Sequence, residues 1–88
     1  MSLTVQILAF DGMEALDFAG PFEVFTTAAR MAQRMGLDDA PWCTVQCVAA
    51  SNAAVTARAG LRVLPDTGFA GTGNVSADIL LVPGGVVD

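Results

Sequence analysis

The sequence has no lysine and no histidine, and its only cations are Arg30, Arg34, Arg58 and Arg62. Nine acidic residues outweigh them, for a net charge of −5. Binding nucleic acid takes clustered cations that displace counterions from phosphates, so no nucleic acid is expected to bind through this chain. The same deficit argues against an anionic membrane surface. No apolar run reaches the ~18 residues of a membrane span, and no basic segment leads into an apolar one as in a signal peptide. A water-soluble, cytoplasmic protein is expected.

Charge is scarce altogether. Charged residues make up 15% of the chain, against a usual ~25%, while hydrophobic residues make up 53%. A chain of 88 residues buries only a modest fraction of its surface, so this composition should leave sticky faces uncovered. Either a partner chain covers them or the chain is part of a larger domain.

Cysteine is nearly absent too. Cys43 and Cys47 lie in an extended-looking run, where a strand separates them by ~13 Å at ~3.3 Å per residue. A disulfide needs Cα atoms within about 7 Å, so the two cannot bridge within one strand. Without histidine or a second cysteine pair, a zinc site has too few ligands. Buried, reduced thiols are expected, and neither a metal nor a cofactor.

What the chain does contain is an ordered α/β pattern. Thr4–Phe10 is an almost continuous apolar run that suits a strand covered on both faces, as in a parallel sheet. Asp11 followed by Glu14 has the spacing of a capping box and predicts a helix start. Leu16, Phe18 or Ala19, Phe22, Phe25, Ala28 or Ala29, Ala32 and Met35 then form a helical stripe, closed by Gly36 in the C′ position. Pro21 inside it deletes the bond that the Asp17 carbonyl would accept, predicting a kink or tightened turn.

After a polar loop at 37–41, Trp42–Ala50 reads as a second strand. Residues 53–57 and 61–64 flank Arg58-Ala59-Gly60 as a short hairpin. Residues 65–74 read as a Gly-rich loop with room for one helical turn near Phe69. Asp78–Val82 is a further buried strand. Strand, helix, strand, hairpin, strand predicts an α/β fold with a parallel sheet.

Three motifs carry potential chemistry. Gly71-Thr72-Gly73 suggests a dinucleotide loop only superficially, because it precedes a strand and lacks the rest of the fingerprint. Pro83-Gly84-Gly85 ends a strand of the sheet, where ligands of open parallel sheets bind. Glycines there let backbone N–H groups approach a substrate, as in an oxyanion hole; the same spacing also fits an ordinary tight turn. Asp17 lies among apolar neighbours in the first turns of the helix. Buried, it would be favoured in its neutral form as a hydrogen-bond donor; solvated, it would be an acid that stabilises the helix N-terminus. Glu23 belongs on a polar or partner-facing side.

Taken together, ILAFDGMEALDFAGPFEVF, GLRVLPDTGFA and ADILLVPGG resemble the ThiJ/PfpI (DJ-1-like) superfamily, of the class I glutamine amidotransferase-like fold. The resemblance is strongest to its LD-hydrophobic-x-GP-x-EVF branch, which holds isonitrile hydratase-like enzymes and the sensor halves of AraC-type regulators. It implies a flavodoxin-like parallel sheet with flanking helices, in which a helix-borne acid meets a nucleophilic cysteine. Asp17 then matches the family acid and shuttles a proton, while Gly84 and Gly85 match backbone oxyanion-type donors.

The family cysteine lies on an elbow well beyond VPGG, and this sequence stops at Asp88. Neither Cys43 nor Cys47 replaces it, since both lack the cation or helix N-terminus that lowers a thiol pKa. Residues 1–88 are thus expected to be the N-terminal half of one such domain, inactive alone. The whole would be a cysteine-dependent hydrolase, hydratase or lyase, isonitrile hydratase-like or amidase-like, acting on a small electrophile. The alternative is a ligand-sensing domain of an AraC-type regulator. A small-molecule substrate or ligand, and a homodimer or association with the missing half, are the expected partners.

Overall fold

The computed structural model describes residues 3–36, 43–69 and 77–85. They form strand β1 (Leu3–Leu8), helix α1 (Ala15–Arg34), β2 (Cys43–Ala49), β3 (Val55–Thr56), β4 (Arg62–Val63), β5 (Thr67–Gly68) and β6 (Ile79–Leu81). Four strands make one parallel sheet in the order β5-β2-β1-β6, and β3 and β4 make a separate antiparallel hairpin. This is the α/β architecture with a parallel sheet that the sequence predicts. Trp42, the 37–41 loop and the Gly71-Thr72-Gly73 motif lie outside the described residues.

Strand parity decides what the sheet buries. Val5 pairs with Val45 and Ile79, and Ile7 with Cys47 and Leu81. Side chains of successive residues alternate between faces, so these rows share one face. That face packs against Phe18, Phe22, Phe25 and Ala29 of α1, forming the core. The opposite face carries Gln6 and Gln46, whose side-chain amides hydrogen-bond at 3.0 Å, and Leu80, which is 59% exposed. Among the described residues, one helix covers one face.

Two aspartates open strands by the same device. Asp78 gives its N–H to the Thr4 carbonyl at 2.8 Å and accepts the Thr4 N–H on its carboxylate at 2.7 Å. Asp66 does the same with Cys47, at 2.9 Å and 2.7 Å. Each carboxylate satisfies a strand N–H that would otherwise lack a partner at the edge of the ladder.

Three expectations need correction. Residues 67–68, read as loop, form β5 alongside Val48 and Ala49. A two-residue Thr-Gly strand has no periodicity to detect; its pairing with β2 creates it. The capping box is absent: Glu14, not Asp11, is the N-cap of α1, with no side-chain cap. Asp11 instead accepts the Thr56 N–H at 3.0 Å. Finally, the strand read as buried over 78–82 is β6, in which Leu80 is 59% exposed; α1, with Pro21 inside it, is one helix of 20 residues. Gly36 does end the helix, at φ +75°, a conformation that glycine adopts without strain.

Both cysteines are buried in β2, and burial pushes each thiol above its ordinary value; at Cys47 the N–H of Asp66 partly opposes this. They should therefore alkylate slowly at pH 7 in the folded protein and rapidly in denaturant. Any stability they contribute is complete below the ordinary thiol value of 9.0 and is lost as pH rises beyond it. The unfolded chain then releases protons that the folded one keeps. Urea titrations between neutral and alkaline pH, on the protein and on a Cys47→Ala variant, check the sign.

Candidate functional site

The chain runs from β1 to β2 and β5 on one side, then returns to place β6 on the other side of β1. Such a reversal makes β1/β6 the switch point, and ligands of open α/β sheets bind beyond the carboxyl ends of the strands there. Asp17 and the two glycines meet at this place.

The loop leaving β1 turns sharply at Gly12, whose φ of +87° favours glycine, and delivers Glu14 as N-cap. Asp17 thereby becomes the third residue of α1. In a capping box, an acid at this position reaches back to the N-cap N–H. Here the backbone of Gly84 intervenes. Its carbonyl accepts the Glu14 N–H at 2.7 Å, and its own N–H donates to Asp17 Oδ2 at 3.1 Å. Glu14, Asp17 and Gly84 thus close a ring across the β1/β6 gap.

The next residue makes that approach possible. Gly85 forms an antiparallel bridge with Met13. A Cβ on it would lie 2.6 Å from the Gly12 carbonyl oxygen and 2.8 Å from the Met13 Cα. Both are backbone atoms, so neither can swing aside.

The β3–β4 hairpin braces the same loop from the other side. Thr56 accepts the Gly12 N–H at 2.9 Å, and the Arg58 N–H donates to the Met13 carbonyl at 2.8 Å. The Arg58 guanidinium reaches Glu14 Oε1 at 2.6 Å across an exposed surface, an ion pair that holds Arg58 above its ordinary value. Sequence reasoning finds the hairpin by its turn residues but misses its docking, because backbone donors and acceptors leave no residue-type signal.

The structure brings Asp17 to Gly84 and, through Met13, to Gly85. It leaves Asp17 exposed to solvent among the described residues, the solvated of the two alternatives that its spacing leaves open. Leu16 points outward at 79% exposure while Phe18 enters the core at 8%. The Gly84 N–H is occupied by the carboxylate and is not a free donor. The Gly85 N–H has no partner among the described residues. Cys43 and Cys47 lie in the core beneath α1, apart from this ring. Among the described residues no group of His, Cys, Asp and Glu is placed to hold a metal.

Chemically, the site is a carboxylate with one oxygen anchored by a backbone N–H. It can accept or return a proton, and it can orient an electronegative group. The sequence model of the DJ-1/PfpI family matches residues 3–88. The chain belongs to that family. Its structure is similar to DJ-1beta of Drosophila melanogaster, with a TM-score of 0.69 and 22% identity over 98% of this chain and 40% of that one. A ThiJ/PfpI family protein from Pseudomonas syringae gives a TM-score of 0.67 at 27% identity, covering 97% of this chain and 30% of that one. A DJ-1 superfamily protein from Agrobacterium tumefaciens gives 0.55 at 22% identity, covering 94% and 38%. The chain thus spans well under half the length of these relatives. No curated protein matches it.

The two glycines should respond differently to a methyl group. Gly85→Ala forces backbone apart and should cost about 1–3 kcal/mol of stability, as overpacking does, read by urea denaturation. At Gly84 the nearest atom to a new Cβ is Asp17 Oδ2, at 3.0 Å, the end of an exposed side chain. Gly84→Ala should keep most of its stability while displacing the carboxylate. The Asp17 carboxyl resonance and the residue-84 amide would lose their coupling in a pH titration by NMR.

Proposed function

We propose that this chain is the N-terminal half of a DJ-1/PfpI-family enzyme that acts on a small electrophilic substrate such as an isonitrile, aldehyde or amide. Its place is the branch marked by Leu16-Asp17-Phe18-Ala19-Gly20-Pro21-Phe22-Glu23-Val24-Phe25. The observation that carries the reading is the Asp17–Gly84 contact at the β1/β6 switch point. It sets an anchored acid where such sheets bind ligands. Length and surface support the assignment to half a domain: the chain spans 30–40% of its structural relatives, and Leu80 and Val82 are left largely exposed. The remaining half, or a second copy, covers that surface.

In this mechanism a cysteine beyond these residues supplies the nucleophile. Its thiol proton passes to the free oxygen of Asp17 as sulfur bonds to the electrophilic carbon, and Asp17 returns the proton to the atom that gains the electron pair. Gly84 holds Asp17 in place through its N–H. Gly85 presents its N–H to the developing negative charge, as a backbone donor does in an oxyanion hole. Cys43 and Cys47 take no part, since burial keeps both as thiols. A reduced thiol nucleophile suits the cytoplasm.

The test is turnover by the protein expressed from its full reading frame, assayed on isonitriles, aldehydes and amides. Asp17→Asn keeps the shape of the side chain but cannot exchange a proton. It should cut turnover by about 10²–10⁴-fold with an unchanged melting temperature. Full activity in that variant would remove Asp17 from the mechanism. Saturable ligand binding without turnover, with a helix-turn-helix segment in the same reading frame, would assign the protein to the sensor domains of AraC-type regulators.

A further inference from the structure

A second concavity lies one strand away from Asp17, between the carboxyl ends of β1 and β2. Its volume is about 390 Å³, within the range of about 300–1,000 Å³ for small-molecule sites. The space comes from the sequence: Ala49, Ala50, Ala53 and Ala54 present only methyl groups to it, where larger side chains would fill it. Phe10, Val55 and Phe69 complete the apolar walls.

Two polar side chains line it, Asp11 and Ser51. Asp11 is fixed in orientation, since its Oδ1 accepts the Thr56 N–H at 3.0 Å; its Oδ2 has no partner among the described residues. Ser51 Oγ accepts the Ala53 N–H at 3.2 Å, which leaves the hydroxyl proton for a ligand. No arginine lines the cleft. Arg58, on the adjacent hairpin, is paired with Glu14. A positive group entering the cleft therefore meets an oriented carboxylate with no competing cation, while an anion meets that carboxylate's repulsion and has the Ser51 hydroxyl as its side-chain donor.

We propose that this cleft is a small-molecule site for a compact apolar ligand bearing a protonated amine. The apolar body lies against the alanines, Phe10 and Phe69, and the ammonium group donates to Asp11 Oδ2. This site is separate from Asp17 and does not depend on the reading of that residue.

The test uses two probes of equal shape and opposite charge, benzylammonium and benzoate, titrated into ¹⁵N-labelled protein at matched ionic strength. Benzylammonium should shift the amides of 9–11 and 49–55 saturably. It should bind at least about tenfold more tightly than benzoate, since a charge-assisted hydrogen bond is worth about 1.5–3 kcal/mol and about 1.4 kcal/mol is a factor of ten. Asp11→Asn retains an acceptor for Thr56 N–H and should bring the two probes to near-equal affinity. Ala53→Phe, at an exposed position, should fill the cleft and abolish both responses while the rest of the spectrum persists. Equal binding of the two probes to the unaltered protein would overturn the proposal, as would shifts centred on Asp17 and Gly84, or no response at 49–55. The comparison of the two probes on the unaltered protein decides the matter even if a variant fails to fold.

Discussion

The close passage of the Gly84-Gly85 backbone over the β1–α1 loop is the constraint from which the candidate site follows. Parallel neighbours finish at the same edge of a sheet, so the chain leaving β6 must cross the beginning of α1. It can cross at hydrogen-bonding distance only where no Cβ intervenes. Gly85 meets the Gly12 and Met13 backbone, and Gly84 then lies where its carbonyl and N–H take up Glu14 and Asp17. A side chain at residue 85 would lift the strand exit away and separate the acid from its anchor. The geometry around Asp17 is therefore set by backbone packing between two segments 67 residues apart in sequence.

The loop that leads into the acid's helix is held from two directions, chiefly by main-chain groups. On one side stands the β6 exit; on the other, the β3–β4 hairpin, through Gly12, Met13, Thr56 and Arg58. The Arg58–Glu14 ion pair adds to this on the surface, where such pairs are worth little because solvent screens them. Rigid backbone bracing suits a carboxylate that must keep its direction while exposed. It also explains why Asp11 serves the hairpin and not the helix. Once the loop turns back at Gly12, the Asp11 carboxylate faces the Thr56 N–H, and the α1 N-cap falls to Glu14.

The sheet shows a parallel division. Its helix-covered face holds the alternating rows through Val5 and Ile7, while the other presents a Gln6–Gln46 pair and an exposed Leu80. Apolar residues on both faces of β1 and β6 are what a strand covered on two sides requires. Among the described residues a helix covers one side, and on the other Leu80 stays 59% exposed. The high hydrophobic content and the exposed side chains of β6 are two views of the same fact.

From the sequence by itself, the elements that repeat over several residues could be read, because periodicity is a local property. The runs of β1 and β2, the stripe of α1 with its Gly36 stop, and the hairpin around Gly60 all carry their own signal. The three ordered segments around Asp17, Pro65-Asp66 and Gly84 pointed to the family, and the family match agrees. Tertiary structure alone decided the rest. It made a strand of Thr67-Gly68 by supplying the edge of β2. It turned Asp11 from cap to hairpin acceptor and left Asp17 in solvent despite Leu16 and Phe18, since a helix sends adjacent residues to different faces. It also assigned the Gly84 N–H to a carboxylate and left that of Gly85 unpaired among the described residues. Which partner a backbone donor finds depends on how two distant segments approach, and no residue type records that.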